Sequence, residues 1–192
     1  MLKLRISSWM IMAAICLSSC NLFHREPPMA DAYPIAFCFQ DASGNNIVEK
    51  IKAEQSGFID DKKNINSNMY SLDIDIQNYI NGEVTSGPHK YPALYVSSLE
   101  MIMHDKLGIC LTNYFARSSE DNNVRKLTYN LKCPYIFGDE ETHELVTYWE
   151  LNDNIYSKCY RIEFEGQEIT PQVMDNEYYS LGVITVDKTN NE

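Results

Sequence analysis

Apolar side chains recur at every second position through much of this chain, and that spacing restricts it to strands with one greasy and one wet face. Leu72, Ile74 and Ile76 alternate with Asp73 and Asp75; Leu127, Tyr129 and Leu131 alternate with Thr128 and Asn130; Tyr160, Ile162 and Phe164 alternate with Arg161 and Glu163. Ile35, Phe37 and Phe39 form a further apolar face. The turn-forming run Asp41-Ala42-Ser43-Gly44-Asn45-Asn46 follows, and Ile47-Val48-Glu49-Lys50-Ile51 then reads as the return strand of a hairpin. β-Branched and aromatic residues enrich 93–98, 107–115, 145–151 and 178–186. Turn signals at Asn81-Gly82, Ser86-Gly87-Pro88, 118–123, Gly138-Asp139-Glu140, Asn152-Asp153-Asn154 and Glu165-Gly166 separate these runs. About nine strands at this spacing predict an all-β fold, an antiparallel two-layer sandwich. At most one or two short helical turns are expected. One opens at Thr170-Pro171-Gln172-Val173, an N-cap residue followed by proline at N1, and the other lies within 97–104.

The first twenty residues carry a second constraint. Lys3 and Arg5 precede a nearly uncharged stretch over 6–17, the order of a secretory signal. Interrupted by Ser7 and Ser8, that stretch falls short of the about 20 apolar residues that a membrane-spanning helix needs. Leu17-Ser18-Ser19-Cys20 resembles the lipobox of bacterial lipoproteins. The resemblance implies cleavage after residue 19 and a diacylglycerol on the Cys20 thiol. Acyl chains contribute about 0.8 kcal/mol per buried CH₂, and two or three together hold a protein on a membrane durably. Residues 20–34, with Pro27-Pro28, read as a lipidated tether, 35–187 as a single β-sandwich domain, and 188–192 as a polar tail. In lipoproteins of this kind an aspartate after the cysteine favours the inner membrane and an acidic cluster routes the protein to the surface. Asn21-Leu22-Phe23-His24-Arg25-Glu26 has neither, which implies the outer membrane, facing the periplasm.

Without residues 1–19 the chain has 14 basic against 27 acidic residues, a formal charge of −13. That sign disfavours nucleic acid and anionic lipid surfaces as partners, and its plainest role is solubility. Cys16 leaves with the signal and Cys20 takes the lipid, so Cys38, Cys110, Cys133 and Cys159 remain. An even number in an oxidising compartment allows two disulfides, in any of three pairings. Buried thiols are the alternative. Spacings of 72, 23 and 26 residues and the lack of a C-x₂-C pair argue against zinc.

The lipobox, the run Phe37-Cys38-Phe39-Gln40-Asp41-Ala42-Ser43-Gly44-Asn45-Asn46 and the run from Cys133-Pro134-Tyr135 to Tyr148-Trp149 are similar to small uncharacterised envelope lipoproteins of Bacteroidetes gut bacteria. The resemblance spans most of the chain. It implies an immunoglobulin-like or related sandwich in the envelope and brings no catalytic residues with it.

No recognisable catalytic motif occurs. His143-Glu144 begins like the zinc-protease motif H-E-x-x-H, but position 147 is Thr147. No G-x-S-x-G or Gly-rich phosphate loop is present, and no cofactor is implied. Outside the tether, His89, His104 and His143 are the candidate bases of a cryptic hydrolase. Asp139, Glu140, Glu141 and Glu144 form the densest carboxylate cluster, a weak candidate for a hard cation, since it lacks the D-x-D-x-D-G spacing. A solvated hairpin tip is the blander reading. Asp73 and Asp75 share a strand face and read as neighbouring charges on a wet surface rather than an acid–base pair. Amphipathic rings stack on sugar faces, so Tyr148, Trp149, Tyr178 and Tyr179 are the candidate ligand-facing residues, one member of each adjacent pair having to face away from the core. The leading expectation is a non-enzymatic, membrane-anchored binding or scaffolding module for an envelope protein. A glycan-binding accessory of a nutrient-uptake system is the second, and it predicts coplanar exposed rings around Trp149.

Overall fold

The computed structural model describes residues 30–80, 82–84, 89–90, 99–118, 124–150, 157–174 and 178–187. The expected signal, Cys20 and most of the expected tether lie outside the described residues, as do 91–98 and the polar tail 188–192.

Two sheets face one another across a single large core, as the alternating runs require. The five-stranded sheet has the order β11 (Gln172–Val173), β12 (Ser180–Thr185), β1 (Ala30–Gln40), β6 (Gly108–Ser118), β5 (Glu100–His104). The seven-stranded sheet runs β10 (Gln167–Ile169), β9 (Lys158–Phe164), β8 (His143–Glu150), β7 (Val124–Lys132), β2 (Ser71–Ile80), β3 (Glu83–Val84), with β4 (His89–Lys90) also on β2. All neighbours are antiparallel except β1 and β12, which pair in parallel from Ile35↔Ser180 to Gln40↔Thr185. The fold is therefore all-β and two-layered with one mixed sheet. Its central strand starts at Ala30, ahead of the Ile35 read from sequence, and Tyr33 and Pro34 are buried in it. Pro34 precedes the β12 ladder, where β1 has β6 as its paired neighbour, and so its missing N–H costs no bond to β12.

Inward-pointing aromatics of β1 join the layers. Tyr33 meets Trp149 of β8 edge to face at 5.3 Å and 87°, Phe37 meets Tyr129 of β7 at 5.5 Å, and Phe39 meets Phe137 at 5.7 Å and 90°. Each such pair is worth about 0.5–1.5 kcal/mol beyond its buried area. Gly182 of β12, opposite Phe37, lets Ile162 of the other sheet close in: a Cβ there would lie 3.0 Å from Ile162 Cδ1 and 3.3 Å from Phe37 Cδ1. Behind the five-stranded sheet, Ala36, Cys38, Cys110, Met174 and Leu181 form a second, smaller buried cluster, so the middle of β1 is covered on both faces.

Four local expectations are corrected. Residues 47–51 are not a return strand but part of the helix α1 (Ile47–Glu54). Asn46 caps it, its side chain accepting from Glu49 N at 2.9 Å, and Ile47, Val48 and Ile51 occupy one helical face against the core. The turn expected within 97–104 is instead β5, the edge strand paired with β6. At 170–173 the chain makes β11 against β12, because the N–H groups after Pro171 find a sheet edge. Tyr160 does not share the apolar face of Ile162 and Phe164. Tyr148 pairs with Arg161 while Trp149 pairs with Cys159, so Tyr160 is an extra residue in a bulge and is turned to the outside, 43% exposed. A second, short helix α2 (Pro134–Phe137) closes one end, stopped by Gly138 at φ 86°.

Candidate functional site: a tyrosine and arginine face on the seven-stranded sheet

The bulge in β9 gathers tyrosines and charged side chains on the outer face of the seven-stranded sheet. On β8, Leu145, Thr147 and Trp149 point into the core, which turns Tyr148 to the outer face of the sheet. Across from it, two consecutive residues of β9, Tyr160 and Arg161, flank its ring. The Arg161 guanidinium carbon lies 3.7 Å from the ring centre, Tyr79 of β2 meets the ring edge-on at 5.0 Å and 62°, and Tyr160 tilts beside it at 6.3 Å and 45°. Lys126 Nζ stands at 6.0 Å. Glu163 closes the cluster: Tyr148 donates its hydroxyl hydrogen to Oε2 at 3.2 Å, and Oε1 lies 3.3 Å from Arg161 Nε.

The electrostatics follow from that crowding. Burial pushes the Tyr148 phenol above its usual range, and Glu163 adds to this, while the Arg161 charge opposes both. Burial likewise raises Tyr160, aided by Tyr79. For Arg161 desolvation works against the charge, yet the hydroxyl of Tyr148 and the charge of Glu163 outweigh it and hold the guanidinium more firmly protonated. The Arg161 Nε contact with Glu163 is an ion pair without hydrogen-bond alignment, and that nitrogen is buried with its hydrogen-bonding capacity unspent. Asp75, in the cross-strand row Asp75, Thr128, Val146, Glu163, accepts from Asn130 Nδ2 at 3.0 Å through Oδ2, while its buried Oδ1 has no hydrogen-bond partner among the described residues.

Of the ligand-facing candidates, Trp149 is corrected. It is fully buried between the sheets, shares the parity of Leu145, and donates Nε1–H to Thr147 Oγ1 at 2.8 Å. Coplanar rings around it are not found. Tyr148 does face outward, but it is only 6% exposed, being roofed by Arg161 and its neighbouring tyrosines. Tyr178 is 59% exposed and Tyr179 half-buried against the smaller cluster. Tyr79, Tyr160, Arg161 and Glu163 were not singled out from sequence, although Arg161 and Glu163 stand two apart on one strand and so share a face.

Asp139 and Glu140 of the acidic cluster spend their oxygens locally, while Glu141 and Glu144 are exposed. Asp139 Oδ1 accepts from Glu141 N and contacts His143 Nε2, each at 3.0 Å. Glu140 pairs with Lys132 at 2.9 Å, and Glu144 N donates to Glu165 Oε1. No three metal-ligating side chains converge among the described residues. His143 lies between two carboxylates, Nδ1 being 3.3 Å from Glu165 Oε1, and its ring stacks on Phe137 at 3.9 Å. Both nitrogens are thus engaged by carboxylates rather than by a hydroxyl or thiol to be activated. His104 Nδ1 accepts from Lys106 N and Leu107 N, both at 3.2 Å, as a turn cap. The side chain of His89 lies outside the described residues. Asp73 is exposed.

Beside α1 a groove of about 640 Å³ is bordered by Asp41, Lys50, Glu54, Tyr135 and Asp187. Asp41 is occupied there as the hub of its own turn, accepting from Ser43 N and Asn45 N at 2.9 Å, and the Asn45 bonds hold its carboxyl below the usual range. All four cysteines are buried. Comparison with protein-family models, with curated proteins and with solved structures finds no match to this chain.

Proposed function

We propose that the chain is a lipid-anchored protein of the bacterial envelope whose β-sandwich is a binding or scaffolding module. Its anchor is Cys20 and its recognition surface is the face around Tyr148 and Arg161. The observation that carries the anchor is the order of the first twenty residues, a basic start, a short apolar run and Leu17-Ser18-Ser19-Cys20, ten positions ahead of β1. What supports recognition is the clustering of three tyrosines, an arginine and a glutamate on one sheet face, with Tyr160 exposed beside them and the cation held against a ring and a carboxylate. Orientation towards the periplasm at the outer membrane belongs to the same proposal.

Fractionation and intact mass of the Cys20→Ser chain test the anchor. The natural chain is expected in the detergent-extracted membrane fraction with added acyl mass, and the variant in the soluble fraction without it. Equal membrane retention and unchanged mass would sink the reading. Digestion by protease added to intact cells would overturn the periplasmic orientation. For the face, a photo-crosslinking residue at position 160 is expected to give an adduct that the same residue at exposed Thr185 does not.

A glycan-binding accessory is the second reading. Tyr160 and Tyr178, the exposed rings, take the place of Trp149 in it. Loss of sugar binding on Tyr160→Ala or Tyr178→Ala is its test.

A further inference from the structure

The β1–β6 ladder ends at Phe37 opposite Leu111, and continuing its register by one step brings Cys38 level with Cys110. Both side chains point away from the main core into the smaller cluster behind the five-stranded sheet, and both are fully buried. Cys38 Sγ donates to Leu107 O at 3.7 Å and Cys110 Sγ to Gly108 O at 3.9 Å, so both thiols lie at the start of β6. Directly opposed residues of an antiparallel pair have Cβ atoms about 4.5–5.5 Å apart, close to the roughly 3.5–4.5 Å that a disulfide spans. The alternatives fail on distance. Cys159 pairs with Trp149, next to the Tyr148↔Lys126 pair, whereas Cys133 follows the far end of β7. Seven extended residue steps separate Lys126 from Cys133, roughly 23 Å at about 3.3 Å each, and a disulfide tolerates no more than about 7 Å between Cα atoms. Cys133 and Cys159 also belong to the main core, a sheet's thickness away from Cys38 and Cys110.

We propose that Cys38 and Cys110 form the single disulfide of the exported domain, made by exchange with a disulfide-bearing oxidant of the envelope, a small disulfide or a dithiol–disulfide oxidoreductase. The proposal rests on the export reading only for its oxidant. The Cys38 thiolate attacks one sulfur of the oxidant and expels a thiolate. The Cys110 thiolate then attacks Cys38 Sγ and expels the second. Two protons and two electrons pass from the cysteine pair to the oxidant, which leaves as two thiols. The order of attack has local causes. The neighbouring Cys110 thiol lowers the Cys38 pKa against the opposing effects of burial and Glu49, while the Cys110 pKa is raised by the Cys38 side chain and by burial. Asn46 Nδ2 is a further donor 3.6 Å from Cys38 Sγ. Because Leu181 of β12 helps seal the pair, exchange precedes docking of that last strand.

The test is peptide mapping of the full chain without reduction, its thiols blocked by alkylation in denaturant. From the membrane fraction, the peptides holding Cys38 and Cys110 are expected joined, with Cys133 and Cys159 alkylated. In Cys38→Ser, Cys110 is expected to become alkylated. Alkylation of both Cys38 and Cys110 in the natural chain, or a link between any other pair, overturns the proposal. Should the chain stay in the cytoplasm, the export reading fails by itself, and the pairing is still tested by refolding the purified chain in oxidised and reduced glutathione. The same joined peptides are expected, and their absence overturns the pairing.

Discussion

The guanidinium carbon of Arg161 sits over the ring of Tyr148, 3.7 Å from its centre, and the phenol of that ring reaches the carboxylate of Glu163, the residue two positions beyond the arginine. Ring, cation and anion thus form a closed set across β8 and β9. Cation–π contacts contribute about 0.5–1 kcal/mol at exposed sites and about 2 kcal/mol when desolvated. A double-mutant cycle of Tyr148→Leu and Arg161→Met in urea is expected to return a coupling of about 1 kcal/mol. Additive losses would show that the stacked geometry contributes nothing to folding.

Trp149 is a core residue, and its replacement is a stability experiment. Trp149→Ala is expected to cost about 3–5 kcal/mol, and Trp149→Phe roughly 1–2 kcal/mol, through lost volume and the lost bond to Thr147. Thermal unfolding checks both. A variant that melts like the natural protein would contradict the burial of this side chain.

Asn46 serves three elements at once. Its Oδ1 caps α1 at Glu49 N, and its Nδ2 donates to Leu107 O at 2.7 Å and Ile109 O at 2.9 Å beside the Cys38 sulfur. An ordinary cap is worth about 1 kcal/mol, and leaving buried carbonyls unpaired adds about 1–3 kcal/mol. Asn46→Ala is expected to lose more than a cap alone. Asn46→Asp separates the roles, because it keeps the capping oxygen and removes the donors. It is expected to be destabilised as well, measured as a lower urea midpoint, and a fully stable Asn46→Asp would assign everything to the cap.

The hydrogen bond from His143 holds the Asp139 carboxyl below its ordinary value, with a smaller contribution from Glu141 N. A folded-state pKa below the unfolded one means stability that is fully present above the unfolded value, near about 3.9, and lost as pH falls through the folded value. Stability against urea is expected to decline on acidification below about pH 4, and Asp139→Asn to flatten that decline. An identical acid limb in both proteins would remove Asp139 as its source.

Much of the architecture was legible because period two is imposed by the strand itself. Ile74, Ile76, Leu127, Tyr129 and Leu131 are buried as their spacing requires. The misread segments are those where a second signal competed. Ile47, Val48 and Ile51 fit a strand edge and a helical face alike, and the deciding feature was Asn46 with Glu49 three residues on, a capping pattern. Trp149 was readable too, since it shares the parity of Leu145 and Thr147. The outer face was not. Tyr148, Arg161 and Tyr79 come together only through the pairing of β9, β8, β7 and β2, and one bulge residue, Tyr160, reverses the alternation that the sequence spells out. Register between distant strands is not written in any one of them.

The placement of β1 also governs how the protein bears load. The strand nearest the N-terminal tether is no edge hairpin that could peel away: it is clamped between β12 and β6, parallel to one and antiparallel to the other. A pull along the strand at Ala30 runs across the inter-strand bonds rather than in line with them, so both ladders must slide together before the first of them is lost. In the lipid-anchored form proposed above, tension passed to Ala30 would therefore load β1 in shear against β12 and β6.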